Sequence, residues 1–346
     1  MPHRSISRRP HGASLVALAL FALLAAGCGH GRGPDPELGA TPLREAMEQG
    51  PVPADPLFWR AHSAGGAELH LLGSMHFGPA SGWHLPAAVE DAFEAADAVV
   101  VEVDLRQGDS PEVQALAVRY GVLPPGQSID QHVSPETLAL LADWAARRGI
   151  PVEQLAALRP WMIGMAVALD AMSGVGLVRE TGIEQHFMDR VGDRAVIELE
   201  TAAGQLSMFT ELSPEVQDLA LRDTLEQEHD AEGALLRLAE AWRRGNGAAI
   251  EAETVAATGR YPALAAMDDV LLTRRNRDMA DRLAALSSSP AHAGDRVFVM
   301  VGAAHFLGDD GIVALLRAKG IETEQLGPQQ AGSATGTEIA EAGVAP

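Results

Sequence analysis

The chain has 346 residues, 47 of them Asp or Glu against 26 Lys or Arg, a formal net charge of −21, and one cysteine, Cys28. So acidic a surface repels phosphate backbones, which argues against a nucleic-acid partner. With one cysteine there is no internal disulfide and no Zn–thiolate centre, so any metal must be held by His, Asp or Glu.

Residues 1–27 carry Arg4, Arg8 and Arg9, then an apolar stretch over 15–26, then Gly27 before Cys28. That order is the order of a secretory signal, and the apolar stretch is short for a bilayer span. Leu24-Ala25-Ala26-Gly27-Cys28 resembles a bacterial lipoprotein processing box, which makes Cys28 the lipidated first residue of the mature chain. The plain alternative is an ordinary cleaved signal followed by a stray cysteine. Gly29 lacks the aspartate associated with inner-membrane retention, so the expected location is the periplasmic face of the outer membrane, with lipid as the only membrane contact. Residues 28–55, with Gly-rich and Pro-rich pieces, read as a flexible tether.

The globular region is expected over residues 56–328. Segments 57–60 and 67–72 flank Gly65-Gly66 and read as a hairpin. Residues 85–96 have a helical pattern, and 98–104 form a valine-rich strand. From about 111 to 290 helical patterns dominate, interrupted by one strand candidate at 195–199. Ser134-Pro135, Arg159-Pro160 and Ser213-Pro214 mark helix starts, a capping residue followed by proline in the first turn. Strand 296–301, a helix at about 309–319 and strand 321–326 complete the core. Residues 329–346 have few large apolar groups and read as a disordered tail. The fold class is therefore α/β: a mixed sheet built from N- and C-terminal strands, with a large helical insertion forming a lid or second lobe.

Two apolar runs end alike, in Gly73-Ser74-Met75-His76 and Gly302-Ala303-Ala304-His305. Glycine lets the chain bend where a strand stops, and ligands in open α/β sheets gather at the strand carboxyl ends. His76 and His305 are thus expected to share one site, as ligands of a divalent metal in a hydrolase; the bland alternative is two loop histidines packing locally. Glu102 sits in the valine strand, where a carboxylate must be paired, hydrogen-bonded or ligating unless its face is solvated. Glu200 follows the strand at 195–199, but Glu198 shares its face and the sequence does not choose between them. Arg275, beside Asn276 at a helix start capped by Thr273, either lines a solvated face or orients a carboxylate or an oxyanion. The Ile183-Glu184-Gln185-His186 stretch carries less weight, because Glu184 and His186 are two apart on a helix and diverge. Trp161, Met162, Met165 and Met172 read as core.

The ordered set of Leu-Leu-Gly-Ser-Met-His-Phe-Gly, Ala-Asp-Ala-Val-Val-Val-Glu-Val-Asp, Gly-Ile-Glu-Gln-His-Phe, Glu-Leu-Glu-Thr, Arg-Asn-Arg-Asp-Met-Ala and Val-Gly-Ala-Ala-His-Phe-Leu-Gly-Asp-Asp-Gly resembles the TraB/PrgY/GumN family. It is closest to the GumN-like branch and covers about residues 56–328. The resemblance implies an α/β fold related to the TIKI metalloproteases and, more distantly, to erythromycin-esterase-like and ChaN-like proteins. It implies a metal-dependent peptidase supported by manganese or cobalt, with zinc also possible for such a donor set. By position, the paired histidines are His76 and His305, the strand acid is Glu102, the Glu-Thr acid is Glu200 and the Arg-Asn arginine is Arg275. His76, His305 and Glu102 then form the metal set, and Glu102, Glu200 and Arg275 the catalytic set, acting on a peptide or protein substrate. The rival expectation is a non-catalytic periplasmic lipoprotein that binds a peptide or envelope partner in the same cleft.

Overall fold

The computed structural model describes residues 40–108, 110–254 and 256–327. The signal segment, Cys28, the first part of the tether and the C-terminal tail lie outside the described residues. Six strands form one mixed sheet: β1 (Phe58–His62), β2 (Glu68–Ser74), β3 (Ala98–Val101), β4 (Ala195–Glu198), β5 (Arg296–Gly302) and β6 (Glu322–Gln325), in the spatial order β6-β1-β2-β5-β3-β4. β2, β5, β3 and β4 run parallel, while β1 is antiparallel to both β2 and β6.

This order follows from the residues. β5 reads Arg-Val-Phe-Val-Met-Val-Gly, with no alternation of polar and apolar groups, and every residue after Arg296 is buried. Such a run belongs in the middle of a sheet covered on both faces. β1 and β2 form the hairpin, with Phe58 opposite Leu72 and Trp59 opposite Leu71. β5 arrives late in the chain and slots between β2 and β3, with Ser74 opposite Gly302 and Val101 opposite Met300. The two glycine-ended strands therefore lie side by side with their carboxyl ends at one edge.

Three segments depart from the expected pattern. Residues 40–55 are not all tether: Ala40–Met47 is a helix, Val52–Pro53 pairs with Trp83–His84, and Leu43, Val52 and Ala54 are buried in the main core. The valine strand stops at Val101, because Asp104 caps a short 3-10 turn, Leu105–Gln107, by accepting from the Arg106 N–H. Thr273 caps nothing: it is helical, and a π-turn over Asp269–Thr273 runs straight into the helix Arg274–Ser287.

Between β3 and β5 the chain is mostly helical. Helices Pro135–Arg147 and Pro214–Glu226 start where their Ser-Pro pairs indicate, with Ser134 and Ser213 accepting from the N–H groups three residues on. Pro160–Gly174 starts at Arg159-Pro160 without a side-chain cap. The helical region holds two apolar clusters of its own, one around Trp161, Met165 and Phe209, the other around Trp144 and Ile163. Helices Ala231–Arg243 and Arg274–Ser287 instead bury Leu235, Trp242, Met279 and Leu283 in the sheet's core. Among the described residues, no helix is long and apolar enough to cross a membrane.

Candidate functional site

The site forms at the carboxyl edge of the four parallel strands, where loops from each converge. His76 lies two residues beyond β2, Glu102 follows β3, Glu200 follows β4 and its neighbour Leu199, and His305 sits on the 3-10 turn Ala303–Phe306 after β5. Arg275 comes from the first turn of Arg274–Ser287. A methyl group built on Gly302 would lie 3.3 Å from Glu102 Oε1, 3.4 Å from His76 Nε2 and 3.6 Å from His305 Cδ2. The two imidazoles and one carboxylate thus face a common point over the bare Cα of Gly302.

The glycines serve close approach more than a bend. Neither Gly73 nor Gly302 adopts a positive φ, and Gly302 has the extended values φ −50° and ψ 134°. A Cβ on Gly73 would press Ala303 at 3.2 Å, so the glycine at the end of β2 lets the turn bearing His305 sit against it.

Each group is held by a partner. Arg275 joins the carboxylates: its Nη2 lies 2.7 Å from Glu102 Oε2 and 2.6 Å from Glu200 Oε2, and its Nε donates to Glu200 Oε1 at 2.8 Å. Its Nη1 donates to Leu271 O at 3.0 Å, inside the π-turn. A widened helical turn at a functional position is a recurrent device, and here it brings a carbonyl under the guanidinium. Glu200 is further bound by Gln205 Nε2 at 2.7 Å, which also reaches Glu102 Oε2 at 3.3 Å. Glu102 Oε1 accepts from the Gly302 N–H at 2.7 Å. Glu198 points elsewhere and accepts from the Asp104 N–H; the choice left open between Glu198 and Glu200 falls to Glu200.

The imidazoles are oriented from behind. His76 Nδ1 lies 2.7 Å from Glu184 Oε1, and Ser74 Oγ donates to the same oxygen. His305 Nδ1 lies 2.6 Å from Asn276 Oδ1, whose own Nδ2 donates to Asp310 O at 2.9 Å. An oxygen acceptor at Nδ1 places the Nδ1 proton there and leaves Nε2 facing the site, the arrangement seen behind metal-ligating histidines. Glu184, discounted in the sequence for its poor pairing with His186, is the group that reasoning missed. Its partner lies in the turn after β2. Gly182 packs against the His76 carbonyl, where a Cβ would come within 2.3 Å of its oxygen, and that contact seats the helix Ile183–Met188 with Glu184 at the ring. Asn276 was noted only as Arg275's neighbour.

Electrostatics separate these groups. Burial opposes ionisation of Glu102, yet Arg275, His305, His76 and the Gly302 N–H hold its pKa down at about 2. Burial, with Arg275 and His76, pushes His305 down to about 3, so that ring is neutral. Burial also disfavours charge on His76, but Glu184 outweighs it and raises the pKa. Burial likewise works against the Arg275 charge, which Glu102 and Glu200 secure. Ser74, Glu184, Gln205, Asn276 and His305, all polar and each at most 6 % exposed, surround this one point. A cavity of about 280 Å³, open to solvent, is lined there by His76, Val101, Glu102, Val103, Glu184 and Gln205.

The fit of this donor set to a cation can be tested on its spacing. His305 Nε2 stands 4.0 Å from Glu102 Oε1, inside the separation of about 4.2 Å open to two donors each about 2.1 Å from one ion. Among the described residues, no group of three or more His, Cys, Asp or Glu is placed so that it could hold a metal ion. Two oriented imidazoles and a carboxylate nonetheless face one cradle over Gly302.

Comparison with known proteins adds an independent finding. The model of the TraB/PrgY/gumN family matches residues 57–325. The chain is 27 % identical over 255 residues to the uncharacterized protein YbaP of Escherichia coli strain K12, covering 73 % of this chain and 89 % of that protein, and equally so to YbaP of Shigella flexneri. No solved structure matches the chain.

Proposed function

The chain belongs to the TraB/PrgY/gumN family, and from that premise we propose that the centre at Glu102 is a metal-dependent hydrolase site, acting on peptide bonds in the cell envelope. One observation carries the reading: His76 Nε2, Glu102 Oε1 and the His305 ring meet over the Cα of Gly302. His76, His305 and Glu102 Oε1 are the groups that would hold the ion, manganese, cobalt or zinc. A divalent ion there would polarise a carbonyl and lower the pKa of water to about 7.

The chain's own residues do the rest. Glu184 and Asn276 keep both Nε2 atoms aimed at the cradle. Glu102 stays ionised under Arg275, Gln205 and the Gly302 N–H, and its Oε1 is the carboxylate oxygen placed to bind or take a proton. Glu200 is saturated by Arg275 and Gln205, which makes it the anchor of the guanidinium instead of a free base. Arg275 spends its Nε and Nη2 hydrogens on the two carboxylates and one Nη1 hydrogen on Leu271 O, so its main work is positioning. The envelope location rests on the basic, apolar and Cys28 pattern of the first 28 residues.

The test is hydrolysis of a peptide library with Mn²⁺ or Co²⁺ by the wild type, His76→Ala and His305→Ala. Equal turnover in all three dismisses the proposal. The raised pKa of His76 favours a second reading, acid–base hydrolysis without metal; turnover that survives EDTA but is lost in His76→Ala assigns that one.

A further inference from the structure

A second cavity, about 550 Å³ of unfilled space counting open solvent, opens in the helical region and is walled by Trp161, Gly164 and Met165 from one helix, Phe209 from another with Leu212 just past its end, and Met267. Its wall offers almost no polar directionality. The Gln217 amide nitrogen donates one hydrogen to Leu212 O at 2.9 Å, and Thr224 Oγ1 donates its hydrogen to Ala220 O at 2.9 Å, so the wall's polar side chains are directed in large part to backbone. Trp161 Nε1 is likewise taken, by Tyr120 O at 3.1 Å. A sugar, phosphate or peptide backbone would lose its water there and gain no partners. An aliphatic chain loses nothing. Trp161 and Phe209 stack on each other at 4.5 Å and 12°, fixing one wall, while Met165 and Met267 supply unbranched, adaptable side chains on others.

The cavity also adjoins the Glu102 centre through two elements. Phe209 lies four residues beyond Gln205 on the helix Ala202–Glu211, on the same face and about 6 Å along its axis. Met267 lies four residues before Leu271, whose carbonyl holds Arg275. One wall is thus one turn from Gln205, which touches both carboxylates, and the other one turn from Leu271, which holds the guanidinium that does.

We propose that this cavity binds an aliphatic chain, the apolar part of the substrate on which the Glu102 centre acts. The cavity itself is argued from its walls; its link to turnover rests on the hydrolase reading above. Gly164 provides the probe. A Cβ there has Thr224 Oγ1 as its nearest neighbour, at 3.9 Å, so a larger side chain grows into the cavity without meeting backbone. It also replaces glycine in a helix by a better helix former.

The experiment titrates the purified protein with the neutral fluorophore N-phenyl-1-naphthylamine, for the wild type, Gly164→Ala, Gly164→Leu and Ala168→Leu. Ala168→Leu fills the same cavity one helical turn away, which guards against a folding failure in either variant alone. Saturable binding is expected in the wild type and in Gly164→Ala. A loss of at least about tenfold in affinity is expected in the two leucine variants, with displacement of the probe by decanoate and none by butyrate. No saturable binding, or leucine variants that bind as the wild type does, leaves only a loosely filled core and overturns the proposal. The link is read separately, with N-decanoyl and N-acetyl versions of one cleaved peptide. Gly164→Leu should raise KM for the first about tenfold and leave the second unchanged. Equal effects on both sever the link. If neither peptide is cleaved, the hydrolase reading fails, and the fluorophore titration still decides the cavity.

Discussion

Replacing Arg275 by Met keeps the aliphatic stem and removes the cation that joins Glu102 to Glu200. The two carboxylates approach the same Nη2, at 2.7 and 2.6 Å, and the three side chains are only 11–16 % exposed. Solvent screens such a group weakly, and removing one partner of a buried pair costs about 3–5 kcal/mol. Glu102 sets how that cost varies with pH. Burial resists its ionisation, but Arg275 first, then His305, His76 and the Gly302 N–H, hold it at about 2 against an ordinary 4.5. A carboxyl held that far down gives the folded state about 3 kcal/mol. Because the folded value is the lower one, this stability is complete above about pH 4.5 and is lost as pH falls towards about 2. In the Arg275→Met protein Glu102 takes up a proton more readily, so the gap to wild type should be widest near about pH 7 and narrow below about pH 4. Urea unfolding followed by circular dichroism, in EDTA and at several pH values, measures it. A gap under about 1 kcal/mol at neutral pH, no more than an exposed ion pair gives, would refute the claim that one guanidinium holds the two acids together. So would a gap that stays constant on acidification.

Three further outcomes follow from the same geometry. Gly302→Ala places a methyl 3.3 Å from Glu102 Oε1 and 3.4 Å from His76 Nε2; it should abolish Mn²⁺ uptake measured by calorimetry, with melting temperature little changed because no contact falls below 3.0 Å. Glu184→Gln removes the carboxylate behind His76, and the affinity for Mn²⁺ or Co²⁺ should fall about 10–100-fold; unchanged affinity would mean that Glu184 does not orient the ring. Phe298, fully buried, packs against Phe58, Phe93 and Phe187 with centroids 4.9 to 6.4 Å away. Phe298→Ala should cost about 3–5 kcal/mol in urea unfolding, and a loss under about 1 kcal/mol would show that the sheet core can refill the space.

Much of the sheet was legible because its signal is local. The 296–301 run is apolar at every position but Arg296, so it reads as a covered central strand whatever its neighbours. The Ser-Pro helix starts are equally local, a capping hydroxyl and a proline that forgoes a hydrogen bond. Residues 40–55 read as tether because Pro42, Gly50, Pro51 and Pro53 surround Leu43 and Val52, whose burial depends on a surface assembled from distant segments. The π-turn at 269–273 left no mark in the sequence either. Its widened ladder is fixed by what Arg275 reaches across the site, and Thr273, with the right chemistry for a cap, lies inside a continuous helix.

The site divides along the same line. Residues that announce themselves, a histidine after a strand or an acid after valines, are those whose own segment carries them to the sheet edge. Glu184 and Asn276 were overlooked because neither looks costly in its own segment: an acid in the first turn of a helix and an asparagine after an arginine are ordinary there. Their cost appears only once folding buries them, at 6 % and 3 % exposure, against His76 and His305. Gly182 held the usable clue. A glycine just before an Ile-Glu helix start frees that helix to rest on a foreign backbone, here the carbonyl of His76 itself. Gln205, 4 % exposed, binds both acids, while Glu198, two residues before Glu200, turns away to a backbone N–H. For Glu184, the group behind His76, the sequence mark is the glycine that lets its helix rest on the His76 backbone.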